Sequence, residues 1–106
     1  MTSVRLACLF AAVVTLAPLT AQAQSFNCRY ASRADEVVIC QNAGLSALDE
    51  RLAGMYERTR SRLHGGARQG LIQDQTAWLR GRYRCGPNTA CIEDAYRQRI
   101  NQLADY

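Results

Sequence analysis

The chain contains no lysine: all thirteen of its basic residues are arginine, a bias that reads as genomic base composition rather than chemistry. It has one histidine, His64, so any nucleophile–base pair would have to form around that single ring. No run of five or six like charges occurs, which argues against a nucleic-acid-binding tail. There is no alternating strand pattern of useful length, no low-complexity segment and no convincing internal repeat. The glycines at 65, 66 and 70 do not spell a phosphate-cradling motif. The longest apolar stretch, Leu6 to Leu19 interrupted by Thr15, is 14 residues, against about 20 for a membrane-spanning helix.

What is present at the N-terminus has the anatomy of a secretory signal. Arg5 supplies a short positive region, the apolar stretch follows with Pro18 near its end, and Ala21-Gln22-Ala23 matches the small-residue cleavage pattern. Residues 1–23 are therefore expected to be a signal peptide, with the mature chain starting at Gln24 and located in the periplasm or outside the cell. An uncleaved N-terminal anchor is the rival. Cys8 precedes most of the apolar stretch, so lipidation there would leave no signal to read, and it is expected to be lost on cleavage. The remaining 24–106 is enough for one domain with a modest core. Without Arg5, 12 arginines face 9 acids, a balance of +3, which permits an acidic partner and does not demand one.

Helical periodicity dominates after Ser32. Ser32 with Asp35 reads as a start signal for a short helix through Val38 to Cys40, and Gln41 to Gly44 as a turn. Ser46 with Asp49 repeats the start signal for a longer helix. Its stripe of Leu45, Leu48, Leu52, Met55, Tyr56, Thr59 and Leu63 faces one way, and His64 with Gly65-Gly66 is expected to end it. A third helix from about Ala67 to Arg84 turns Leu71, Ile72, Gln75, Trp78, Leu79 and Tyr83 inward. Gly81 weakens it by roughly 1 kcal/mol relative to alanine, which predicts a packing reason or fraying there. The last helix, capped by Asn88 or Thr89, buries Ile92, Ala95, Tyr96, Ile100 and Leu103 and carries a Glu93/Arg97 surface pair. The expected fold is all-α, a small hairpin or bundle of three to four helices.

Four cysteines outside the leader, Cys28, Cys40, Cys85 and Cys91, admit three pairings. So small a domain gains from such staples, and disulfides fit an oxidising compartment. The local scheme, Cys28–Cys40 with Cys85–Cys91, is preferred. It would tie the irregular segment of Phe26 and Tyr30 to the first helix and clamp the last inter-helix turn. Each bridge should contribute about 2–3 kcal/mol. Zinc is the rival, but the spacings lack the tight C-x2-C knuckle.

Catalytic constellations are weak. The carboxylate pairs Asp35/Glu36, Asp49/Glu50 and Glu93/Asp94 all fall in the first turn of an expected helix, where acids are favoured on structural grounds alone. Trp78 and Tyr56 read as core anchors. No enzyme activity, cofactor or metal is expected.

The ordered pattern Ser25-Phe26-Asn27-Cys28, Val38-Ile39-Cys40, Leu45 to Asp49 with Leu52 and Tyr56 resembles the N-terminal domain of the lysozyme-inhibitor LprI family. The second half agrees, with Gln75-x-x-Trp78-Leu79, Arg82, Cys85, Cys91, Tyr96 and Arg99-Ile100, so the resemblance covers nearly all of 25–103. One departure is Tyr83, where the family usually places an acid after the arginine; a contact built on that acid is not expected here. The resemblance implies an exported, disulfide-bonded, non-catalytic helical protein that occludes a muramidase cleft. Its alternative is an envelope-polymer-binding or stress-related accessory protein. The net charge disfavours long-range steering toward strongly basic lysozymes. Glycosidase clefts, however, are lined by carboxylates, and a projecting side chain from Arg82, Tyr83, Arg84 or Asn88, beside the tied Cys85–Cys91 loop, is the expected contact.

Overall fold

A single asparagine sets the first corner of the molecule. Asn42 is extended, at φ −116° and ψ 112°, and serves both as the last residue after one helix and the cap of the next. Its side-chain oxygen accepts from the Leu45 amide at 3.0 Å, a contact of the kind that stabilises a helix start by about 1 kcal/mol. The computed structural model in which this is seen describes residues 2–3, 7–8, 10–12 and 25–106. The expected cleavage point lies outside the described residues.

A short 3-10 turn over Cys28–Tyr30 leads into α1 (Ala34–Gln41), α2 (Ala43–Arg62), α3 (Gly65–Arg84) and α4 (Thr89–Ala104). The fold is all-α, and the described residues contain no strand. The order of elements agrees with the sequence pattern, but three boundaries do not. Arg33, not Ser32, caps α1, and it does so without a side-chain bond. Ser46 does not start α2; with Asn42 already capping, the Ser46 hydroxyl turns back to donate to the Ile39 carbonyl at 2.6 Å, covering the end of α1. Gly65-Gly66 does not end α2. Leu63 and His64 are already extended, and Gly65, at φ +57°, is instead the first residue of α3. A left-handed backbone of this kind is one that glycine adopts without penalty.

The earlier start of α2 has a consequence. Asp49 moves out of the first turn, where an acid would face the helix end, and into the body of the helix. With α4 starting at Thr89, Glu93 and Asp94 likewise fall beyond its first turn, so neither helix carries an acid there. Asn88, rather than Thr89, caps α4 through the Cys91 amide at 3.0 Å.

The core is Ile39, Leu45, Leu52, Leu71, Ile92, Tyr96, Ile100 and Leu103. Each such side chain contributes about 1.5–3 kcal/mol on burial. The main seam lies between α2 and α4, α1 lies across α2, and α3 closes on α4 with a lighter contact to α2. Trp78 pins α3 to α4 by donating its indole N–H to the Ala95 carbonyl at 2.8 Å, and its ring meets Tyr96 edge-on at 5.2 Å. Both expected disulfides are present, Cys28–Cys40 and Cys85–Cys91. Not every expected core position is filled: Ile72, Leu79 and Tyr83 remain only half-buried on α3. Gly81 has no packing role, since a Cβ there would meet nothing closer than the Arg84 side chain at 3.9 Å.

Candidate functional site

The centre of the bundle is polar. Arg82 on α3, Asp35 on α1 and Asp49 on α2 are 2%, 1% and 1% exposed, and Tyr96 on α4 is fully buried. Arg82 Nε donates to Asp35 Oδ2 at 2.8 Å, and its Nη1 donates to the Tyr96 hydroxyl at 3.1 Å. Tyr96 in turn donates its proton to Asp49 Oδ1 at 2.8 Å. Arg82 Nη1 lies 3.9 Å from that same oxygen. Ser25 closes the chain of contacts, its amide reaching Asp49 Oδ2 at 2.6 Å and its hydroxyl reaching Oδ1 at 2.7 Å. One network thus ties all four helices and the segment just before Cys28.

Its electrostatics follow from this geometry. Burial opposes the charge of Arg82, but the oxygens of Tyr96 and Asp35 outweigh it and hold the guanidinium pKa above its ordinary value. Burial, helped by the Asp49 carboxylate, pushes the Tyr96 phenol far above its usual range, with Arg82 pulling the other way. Tyr96 is therefore a neutral relay, accepting from the cation and donating to the anion. Around it the Arg82 guanidinium carbon sits 5.4–5.9 Å from the rings of Phe26, Trp78, Tyr83 and Tyr96, within the range of cation–π attraction.

A second buried cation lies nearby. Arg99, 3% exposed, donates from Nε to Gln75 Oε1 at 2.8 Å and from Nη1 to Gln102 Oε1 at 3.1 Å. Gln75 is thus an orienting residue for Arg99. These assignments redefine the expected site residues. Arg82 does not project toward a partner, because its side chain is enclosed and engaged. Asn88 is exposed, with its side-chain oxygen spent on the α4 cap. Arg84 is exposed, and Tyr83 is half-buried. Of the motif residues, Asp49 and Leu52 are buried, while Leu48, Tyr56, Gln75, Trp78 and Leu79 are half-buried. Asp35, Ser25 and Tyr96 were missed as a connected set; the only signal in the sequence was an acid at a helix start, which has a sufficient local explanation.

Above the network, the light contact between α2 and α3 leaves an open groove of about 440 Å³. Leu52, Ala53, Tyr56 and Glu57 form one wall and Ile72, Thr76, Leu79 and Tyr83 the other, with Phe26 and Glu36 at one end and Arg82 on the floor. Arg84 and Asn88 do not line it. Tyr83 already carries one guanidinium, that of Arg33, 3.8 Å from its ring centre. No group of three or more metal-ligating side chains is assembled among the described residues, and none of their helices is long and apolar enough to cross a membrane. The buried carboxylates are engaged by internal donors, so what the site offers a second molecule is shape, aromatic surface and rim charge.

Comparisons place this architecture. The sequence model of a family described as "Lysozyme inhibitor LprI" matches residues 28–103, from the first disulfide-bonded cysteine to the last core leucine. Lipoprotein LprI of Mycobacterium bovis (strain ATCC BAA-935 / AF2122/97) is 29% identical over 84 residues, covering 76% of this chain and 41% of that protein. Lipoprotein LprI of Mycobacterium tuberculosis strain H37Rv matches to the same extent. The chain thus spans about two-fifths of the length of the curated relatives it matches. No solved structure matches it.

Proposed function

The chain belongs to the lysozyme inhibitor LprI family, and from that membership we propose that it is an exported, non-catalytic protein that binds a lysozyme-type muramidase and blocks its cleft. The observation that supports this most is the extent of the match, which spans the described helices α1 to α4 almost end to end. The leader-like residues 1–23, the A-x-A pattern and the two disulfides fit export to an oxidising compartment. Mature residues 24–106 would then be the working protein. Most of the family's polar motif residues, Asp49, Arg82, Tyr96 and Arg99, are spent on holding helices together. Membership therefore vouches for the scaffold, and inhibition has to be carried by the surface that the scaffold displays.

The test is calorimetric titration of the oxidised chain against muramidases of several classes at low and high salt. Saturable binding to at least one class is expected. Absence of binding at micromolar concentrations across all classes would remove the proposal. The exposed arginines of α2, Arg51, Arg58 and Arg62, favour a second function, binding of acidic envelope polymers. That alternative requires salt-sensitive retention on peptidoglycan or lipopolysaccharide.

A further inference from the structure

The groove between α2 and α3 carries two acids, although the chain as a whole is basic. Its walls are apolar and aromatic: Ile72 and Leu79 stand half-exposed opposite Tyr56. These residues have the spacing of a core stripe, yet no element of the described fold covers them. Of the three charged residues that line it, Glu36 and Glu57 are acids and Arg82 is buried, while Arg33 stacks on Tyr83. Glu36 has no ion-pair partner among the described residues, and Glu57 makes only a loose, exposed contact with Arg60 at 3.6 Å. Beneath the floor, two carboxylates share the single guanidinium of Arg82. The arginine on the floor is thus already engaged and adds little repulsion toward a visitor.

Tyr83 holds the Arg33 guanidinium over its face, whereas Tyr56, on the opposite wall, carries no cation among the described residues. A half-buried tyrosine ring that shares a groove with two carboxylates and aliphatic side chains suits an arginine or lysine whose neighbours in its own chain are apolar.

We propose that this groove is the docking site for a cationic, partly apolar segment of a partner protein, with a basic side chain seated against Tyr56 between Glu36 and Glu57. Resting on the muramidase-binding function proposed above, this makes the groove the face that engages a basic muramidase, and so reverses the charge roles suggested by the net charge of +3. Local complementarity of this kind sets orientation and association rate even where the total charges are alike.

Three variants and one probe test it. Glu36→Gln/Glu57→Gln should weaken binding of a basic muramidase about three- to tenfold, as expected for two partly exposed ion pairs. Ile72→Arg should weaken it more than Ile72→Glu, since the two differ in charge while both add bulk; melting curves verify that each variant folds. Undiminished binding in all three would overturn the groove while leaving muramidase binding itself intact. The probe is a blocked leucine-flanked arginine peptide and its glutamate counterpart, read by the fluorescence of Trp78, the only tryptophan, which lines the groove. Saturable, salt-sensitive binding of the arginine peptide alone is expected. Equal responses, or none, would overturn the inference even if no muramidase binds.

Discussion

Arg82 Nε lies 2.8 Å from Asp35 Oδ2, across 47 residues of sequence and with almost no solvent at either side chain. This contact fastens α1 to α3, which otherwise touch little. Replacing one member strands the other, together with the hydrogen bonds it served. Arg82→Met is therefore expected to destabilise the fold by about 3–5 kcal/mol, measured by urea unfolding. The double variant Arg82→Met/Asp35→Leu should cost less than the sum of the two single changes, because it removes the stranded charge.

Tyr96 relays between the cation and Asp49, so Tyr96→Phe keeps the ring and its packing but leaves Asp49 without one donor and Arg82 without one acceptor. The expected loss is about 1–3 kcal/mol. Circular dichroism at neutral pH should show an unchanged helical spectrum with a lower melting temperature.

The same phenol makes stability fall at alkaline pH. Its folded pKa is raised, by burial first and then by Asp49, so the folded state retains a proton that the unfolded chain releases above about pH 10. The contribution is fully present below that pH and is lost as pH rises beyond it. Tyrosinate absorbance should therefore show Tyr96 ionising only with unfolding, and Tyr96→Phe should flatten this part of the stability curve. A fold that tolerates ionised Tyr96 would contradict the geometry.

Glycines give a paired test. Gly70 and Gly81 lie within α3 with ordinary backbone angles and open space for a methyl group, so Gly70→Ala and Gly81→Ala should each stabilise by about 0.4–1 kcal/mol. Gly65→Ala, at φ +57°, should instead destabilise by about 1–2 kcal/mol. Melting temperatures of the three variants should move in these opposite directions.

Much of the fold was legible because apolar spacing reports which residues face inward, and because four cysteines in two local pairs restrict the chain ends. The helix order, both disulfides and the core positions Leu45, Leu52, Leu71, Ile92, Tyr96, Ile100 and Leu103 follow from that. The polar centre was not legible. Asp35 and Asp49 read as helix-start acids, and Arg82 beside Tyr83 and Arg84 as one of a surface trio, since a one-dimensional pattern does not reveal that three charged residues on three helices converge. The α2 boundary illustrates why: Asn42 and Ser46 are both good caps, and choosing the wrong one shifts Asp49 from a helix end to the interior. The groove was hidden for the opposite reason. Ile72 and Leu79 have core spacing, and only the arrangement of α2 against α3 shows that none of the described elements packs over them.

The most direct measurement is the rate at which a muramidase lyses bacterial cell walls in the presence of a molar excess of the oxidised chain. Lysis slowed in proportion to the chain added, with about three- to tenfold more of the Glu36→Gln/Glu57→Gln variant needed for the same slowing, is the expected result. An undiminished rate at micromolar excess, for every muramidase class tried, would contradict the account at its centre.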